Sequence, residues 1–222
     1  TNIEKLLVDF TNHRINSTTN KICIYSVVAS SGVGKTRFCI EAKKALLKKV
    51  NNGESNIYPL FVSYNNKTSI HNQECHFDIN TLCCIFGIRM LFDLLFSNSF
   101  LNPYNDLYNF IELIKFIFDD NLEFLTTKHI KEFLSFQTKN KINELAVFVD
   151  ETVQFKSKFD ESKVINLIES IHKINSCYEV RICYTSLENF EKFNDFVKIQ
   201  NETKTRSERV VKWYLLNNMT NY

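Results

Sequence analysis

Ala29-Ser30-Ser31-Gly32-Val33-Gly34-Lys35-Thr36 is the stretch on which the reading of this chain turns. It fits the pattern G-x-x-x-x-G-K-[ST], with Ala29 in the place of the first glycine. The pattern has a physical reason. Backbone N–H groups of a tight loop wrap a phosphate at the start of a helix, where the helix dipole also favours an anion. Gly32 and Gly34 stand where the backbone must come closest to the phosphates, so an alanine at position 29 is within what such a loop accepts. Only 4 glycines occur in the 222 residues, and two of them fall here. By average composition a pattern of this kind arises by chance in on the order of one in a hundred chains of this length, so its setting has to decide.

The setting is a strand before and a helix after. Ile22, Ile24, Val27 and Val28 make Lys21 to Val28 an apolar, β-branched run that ends at the loop. Thr36 to Val50 reads as the helix, with Phe38, Ala42, Ala45 and Leu46 on one face and a stop at Asn51-Asn52-Gly53. Ile57 to Tyr64 is a second strand, which Pro59 confines to a sheet edge or to a later start. From His71 to Asn143 the pattern is helical, an insertion made of Thr81 to Phe96, Tyr104 to Phe118 and Thr127 to Phe136. Leu145 to Val149 is the continuous apolar run of a strand buried on both faces of a parallel sheet, and it stops at Asp150-Glu151. An amphipathic helix at Ser162 to Ile174, a buried strand at Val180 to Tyr184 and a last strand at Val210 to Leu216 complete the order. The sum is a doubly wound α/β domain with a parallel sheet, carrying its helical insertion, 71–143, between the second strand and the strand ending at Asp150.

On this plan the glycine loop is the Walker A element of a P-loop NTPase. Residues Ala29, Ser30, Ser31, Gly32, Val33, Gly34, Lys35, Thr36 and Arg37 are its expected nucleotide contacts. Lys35 reaches the β- and γ-phosphates, and the Thr36 hydroxyl ligates Mg²⁺. Asp150, at the end of a core strand, is the Walker B acid that holds the metal through water. Glu151 beside it is placed to polarise the attacking water, which makes the domain one of the ASCE type. Acids after strands are common, and the upstream loop is what gives this pair its meaning. Thr185 or Ser186, ending a third strand, is a candidate sensor of the γ-phosphate, although both are also ordinary turn formers. Arg206 and Arg209, before the last strand, are candidates for an arginine offered to a neighbouring subunit's nucleotide. Guanine specificity would show as N-K-x-D after a strand; Asn140-Lys141-Ile142-Asn143 lacks the Asp, so ATP is preferred.

Composition excludes several other classes. The formal charge of +2 comes from nearly balanced acids and bases and gives no general field for nucleic acid. Leu82 to Phe96 is the most hydrophobic stretch, but it contains Arg89 and Asp93 and is too short for a bilayer span. The 7 cysteines mostly lie in apolar patterns, where a reduced thiol behaves as a small hydrophobe, favouring an intracellular, reducing compartment, cytoplasm or nucleus. His71, Cys75 and His76 cluster without a second pair at zinc-finger spacing. The chain opens at Thr1 without a signal peptide and is expected to be one NTPase domain, 1–222, cut from something longer.

Ser30 to Phe38, then Phe61-Val62-Ser63-Tyr64-Asn65-Asn66, then Phe86-Gly87-Ile88-Arg89-Met90-Leu91-Phe92, then Val147-Phe148-Val149-Asp150-Glu151 together resemble the NTPase domain of Crinkler proteins and the related retrotransposon hot-spot proteins of protists. The likeness spans Lys21 to Tyr184; its specific parts are the phosphate loop and the Asp-Glu strand. That family's NTPase is similar to AAA+ and STAND ATPases and joins an N-terminal targeting segment to a C-terminal effector domain, often nuclease-like. The resemblance implies an ATPase using ATP and Mg²⁺, with Lys35, Thr36, Asp150 and Glu151 as its active site. No membrane partner is expected, homo-oligomeric assembly is one option, and nucleic acid is expected only through a domain not present here. The alternatives are a STAND-like signalling switch with slow hydrolysis and a scaffold in which the fold survives and hydrolysis does not.

Overall fold

A computed structural model of the chain describes residues 2–12, 24–29, 32–64, 68–96, 142–176, 180–186 and 211–216. Their elements are α1 (Asn2–Asn12), β1 (Ile24–Val28), α2 (Lys35–Asn51), β2 (Ile57–Ser63), a 3-10 turn (Asn72–His76), α3 (Ile79–Phe96), β3 (Glu144–Asp150), α4 (Val153–Lys158), α5 (Glu161–Ser176), β4 (Val180–Ser186) and β5 (Val211–Leu215). The five strands form one sheet in the order β2-β3-β4-β1-β5. Every pairing in it is parallel.

The doubly wound α/β architecture expected from the element order is what forms. Residues of β3 alternate between two cores: Leu145, Val147 and Val149 pack on one side, Ala146 and Phe148 on the other. Burial on both faces is why Leu145–Val149 is apolar without a break. The first side is covered by α3, α4 and α5 through Leu82, Phe86, Met90, Phe155, Leu167 and Ile171. The second is covered by α2 through Phe38, Cys39, Ala42 and Leu46, and by α1 through Leu6, Leu7 and Phe10.

The helix α1 falls outside the expected plan. It is fixed by an edge-to-face contact of Phe10 with Tyr25, ring centroids 4.7 Å apart, and by a hydrogen bond from the Tyr214 hydroxyl to the Asp9 carboxylate, so the first helix is stapled to β1 and β5. The short helix α4, directly after Glu151, was also absent from the sequence plan. The expected helices Tyr104 to Phe118 and Thr127 to Phe136 lie outside the described residues, as does Lys21 to Cys23 of the first strand.

Local signals explain the boundaries. α2 ends in two crossed bonds, Gly53 N–H to the Val50 carbonyl (3.0 Å) and Glu54 N–H to the Lys49 carbonyl (2.8 Å), with Gly53 at φ +73°. This is the glycine-terminated stop that satisfies the last carbonyls of a helix. Pro59 lies in β2, and β2 is an edge strand, where the missing N–H costs no ladder bond.

α3 covers that edge. Its Asp93, 7% exposed, accepts a hydrogen bond from the outward-facing Phe61 N–H (2.8 Å) and pairs with Lys43 at 2.6 Å. The charges that make this stretch a poor membrane span are thus buried and partnered. No helix among the described residues is long and apolar enough to cross a bilayer.

The described cysteines are free, and four of the five are buried. Burial pushes the Cys83 thiol up to about 12 and the Cys84 thiol up to about 11, and holds Cys39 and Cys183 well above the usual thiol value. They pack as small hydrophobes.

Asp93→Ala removes the partner of a nearly buried lysine and leaves an edge N–H uncapped under a helix. A loss of about 2–3 kcal/mol is expected, the cost of breaking a buried pair discounted for the partial exposure of Lys43. Urea unfolding checks it; a change below about 0.5 kcal/mol would mean that the edge is capped by something else.

Candidate functional site

The chain leaves β1 over one face of the sheet and β3 over the other, which opens a crevice at the carboxyl ends of the strands, the usual place for ligands in open parallel sheets. Register brings the ends level there: Val28 lies opposite Ser186, and Val149 opposite Tyr184. Loops leaving β1, β3 and β4 therefore meet at one point.

The first loop is the glycine loop. Gly32 and Gly34 have φ of +77° and +94°, the left-handed region that L side chains rarely adopt. At Gly32 a Cβ would meet nothing within 4 Å, so conformation, not crowding, is what requires glycine there. Gly34 caps α2 without a side-chain hydrogen bond, leaving the first N–H groups of the helix to an incoming anion. Lys35 opens the helix, is 7% exposed, and donates from Nζ to the Ala29 carbonyl at 2.9 Å, folding back across the loop. Burial holds its ammonium below the usual lysine value, while the carboxylates of Glu151 and Asp150 pull it back up. Thr36 and Arg37 are exposed on the first turn, and Val33 is half-buried against the core. Ser30 and Ser31 lie outside the described residues.

The three loops are tied by one chain of hydrogen bonds. Thr36 Oγ1 donates to Asp150 Oδ2 at 2.7 Å, and Thr185 Oγ1 donates to Asp150 Oδ1 at 2.7 Å. Thr185 Oγ1 also accepts from the Glu151 N–H at 3.1 Å. Asp150 is 1% exposed, as is Thr185, and both oxygens of the buried carboxylate are engaged. Its third partner is electrostatic, the Lys35 ammonium. Hydroxyl and carboxylate oxygens side by side are the donor set that a hard dication such as Mg²⁺ takes when substrate phosphates and water supply its remaining positions, so Thr36 and Asp150 fit that ion.

Glu151 is half-buried and has φ +59°, the one positive φ outside glycine among the described residues. A glutamate held there stores backbone strain that the surrounding bonds must overcome. The peptide that carries it is gripped on both sides: the Asp150 carbonyl accepts from Tyr64 N–H at 3.2 Å, and the Glu151 N–H donates to Thr185. Thr152 adds a hydroxyl bond to the Thr185 carbonyl. Nothing in the sequence announces this backbone state, because Asn, Asp and Gly are the residues that visit it routinely.

The structure thus brings Ala29, Lys35, Thr36, Asp150, Glu151 and Thr185 together. Ser186 ends β4 opposite Val28, and Arg206 and Arg209 lie outside the described residues. Among the described residues no three His, Cys, Asp or Glu side chains gather as a metal site. His71 instead caps the 3-10 turn, its Nδ1 accepting from Gln73 N–H at 3.4 Å.

Sequence reading missed the pair beneath the site. Arg89 and Glu74, 2% and 3% exposed, form a two-pronged ion pair at 2.8 and 3.1 Å. The available signal was an arginine inside an otherwise apolar helix, because a buried charge must have a partner.

Glu151→Gly and Glu151→Ala both delete the carboxylate and differ in what φ +59° costs them. The glycine protein should be the more stable of the two by about 1 kcal/mol, read from urea midpoints without nucleotide. Equal stabilities would mean that the backbone at 151 carries no strain.

No protein-family model matches the sequence, and no curated protein matches it. Among solved structures the chain is similar to part of a complex described as Drosophila ORC bound to GC-rich DNA and Cdc6, at 8% identity and TM-score 0.51, over 97% of this chain and 28% of that one. The Walker-type ATPase PABY2304 of Pyrococcus abyssi matches at 15% identity and TM-score 0.45, over 97% of this chain and 52% of that one. The ORC2 protein of Aeropyrum pernix, solved as ADPNP and ADP complexes, matches at 12% identity and TM-score 0.45, over 96% of this chain and 46% of that one. The chain therefore spans about half or less of each of these solved chains, and the Drosophila likeness, at this identity, is one of fold alone: a parallel α/β sheet flanked by helices.

Proposed function

We propose that this chain is a Mg-dependent ATPase domain, the motor or switch module of a larger effector-type protein of the Crinkler and retrotransposon hot-spot kind. The observation that carries the reading is the hydrogen-bonded line Thr36–Asp150–Thr185, which joins the start of the helix after the glycine loop to an acid at the end of a neighbouring core strand. A structural turn that bound nothing would have no need to bury a carboxylate beside a lysine at the open end of a sheet.

In this reading the Lys35 ammonium gives up the Ala29 carbonyl for the β- and γ-phosphates, and the N–H groups of the loop and of the first turn of α2 hold the phosphate oxygens. Thr36 and Asp150 hold Mg²⁺, which when bound neutralises charge on the β- and γ-phosphate oxygens. Glu151, fixed by its clamped peptide, takes the proton of the attacking water. Thr185 orients both acids from β4. Residues 71–143 are an insertion within the one NTPase unit, and the mostly buried thiols suit a reducing compartment.

Lys35→Ala should weaken Mg-ATP binding by at least ~1.5 kcal/mol, because a charged donor to phosphate is worth more than a neutral one. Titration with fluorescent ATP measures it, and undiminished affinity would remove the phosphate-loop assignment. Glu151→Gln should bind nearly as well as the parent and release phosphate roughly two to four orders of magnitude more slowly, the usual worth of a general base. Binding without measurable turnover in the parent protein marks a STAND-like switch, and neither marks a scaffold.

Charge developing on the transferred phosphoryl group calls for a cation beyond Lys35, and Arg206 and Arg209 are the proposed source, acting on a neighbouring subunit's nucleotide. Turnover per subunit should then rise with protein concentration, and the Arg206→Ala/Arg209→Ala protein should bind ATP normally without that rise. Turnover that is constant from dilute to concentrated solution and indifferent to both substitutions would show a domain that acts alone.

A further inference from the structure

Arg89 does more than fill the core. Its guanidinium reaches four partners: both oxygens of Glu74, the Thr68 carbonyl through Nε at 3.2 Å, and the Ser69 carbonyl at 3.4 Å. Its flat face lies over the ring of Tyr64, with Cζ 4.5 Å from the centroid. Tyr64, 3% exposed, in turn meets Phe155 of α4 edge to face, with centroids 4.5 Å apart. Glu74 is held as well, accepting from the His71 N–H at 2.8 Å.

Both ends of this stack bear on Glu151. Tyr64 N–H is the donor to the Asp150 carbonyl, one half of the grip on the strained peptide. Phe155 anchors the first turn of α4, whose Gln154 N–H donates to the Glu151 carbonyl at 3.0 Å. The peptides on either side of Glu151 are therefore fixed by residues that Arg89 packs in place. A buried ion pair is a poor way to gain stability, since apolar residues of the same volume do as well or better. What a planar, multiply bonded guanidinium supplies is a fixed position for the groups around it.

We propose that Arg89 is a positioning residue for Glu151, acting through Tyr64 and Phe155, so that the helix α3 sets the aim of the general base. This rests on the ATPase reading above for its kinetic consequence, and on the backbone geometry alone for its second consequence.

Removing Arg89 by itself would strand the Glu74 carboxylate in the core, so the test replaces the pair. Arg89→Met/Glu74→Leu should fold, shown by an unchanged circular dichroism spectrum and cooperative unfolding, and should bind Mg-ATP with a Kd within threefold of the parent. Its kcat should fall at least tenfold while KM stays within threefold. Tyr64→Leu, which removes the ring and leaves the ion pair, should lose kcat in the same way, and Tyr64→Phe, which restores the ring, should recover most of that loss.

The second readout needs no turnover. In the parent background Glu151→Gly is expected to be more stable than Glu151→Ala; in the Arg89→Met/Glu74→Leu background, where the grip is relaxed, at least half of that difference should disappear. A paired variant that folds, keeps the parent kcat and keeps the full difference between the two substitutions at 151 overturns the positioning role and leaves the ATPase reading intact. A parent protein that binds no Mg-ATP and releases no phosphate overturns the ATPase reading and the kinetic claim with it, while the stability cycle still decides whether Arg89 holds the strained peptide. Should the paired variant fail to unfold cooperatively, Tyr64→Leu against Tyr64→Phe decides the kinetic claim: equal kcat in the two refutes it.

Discussion

The buried carboxylate of Asp150 is the constraint on which the arrangement of this domain depends. A charge that is 1% exposed at the end of an apolar strand is tolerable only if both of its oxygens are satisfied. They are satisfied by hydroxyls from two other elements, Thr36 on α2 and Thr185 on β4. One ionised group therefore fixes the start of α2 relative to β3 and fixes β4 between β1 and β3. The strand order that places β4 there is what lets Thr185, next to its end, serve both acids.

Much of this was legible in the sequence because the relevant signals are local. The glycine loop, the helix after it, the stop at Gly53 and the unbroken apolar run before Asp150 each follow from a few neighbouring residues, and each lies where those residues put it. Pro59 confined β2 to an edge or to a later start, and β2 is an edge strand that includes Pro59. What was not legible is non-local. The helix α1 carries a local signal, Ile3, Leu6, Leu7 and Phe10 at helical spacing, but its place depends on Tyr25 and Tyr214, far away in the chain. The pairing of Arg89 with Glu74 spans a turn whose path no periodicity gives. The left-handed backbone at Glu151 contradicts the preference of the residue that adopts it, so it cannot be read from type or pattern.

That contradiction has a physical meaning. Local preference and global structure agree almost everywhere in a chain that folds to one state, and disagreements concentrate where function demands them. Here a glutamate is forced to φ +59° beside the buried Asp150, at the mouth of the crevice where the glycine loop opens. The strain is sustained by bonds to a single peptide from both sides, Tyr64 just after β2 and Thr185 on β4. A relaxed backbone at 151 would turn the side chain in another direction with respect to the strand. The geometry is thus one in which direction, and not stability, is being conserved by the fold.

The same logic assigns a role to α3. α3 is buried nearly all round: it seals the edge of β2 through Asp93 and supports the end of β2 through Arg89. A helix that merely decorated the surface would present a polar outer face and leave the edge strand bare. Instead its two internal charges both act on β2, one at Phe61 and one at Tyr64, and Tyr64 touches the peptide before Glu151. Any force that shifts α3 along its axis is felt first at the end of β2 and next at that peptide. A contiguous route from α3 to the crevice therefore runs through Arg89, Tyr64 and the Asp150 carbonyl, by packed and hydrogen-bonded groups.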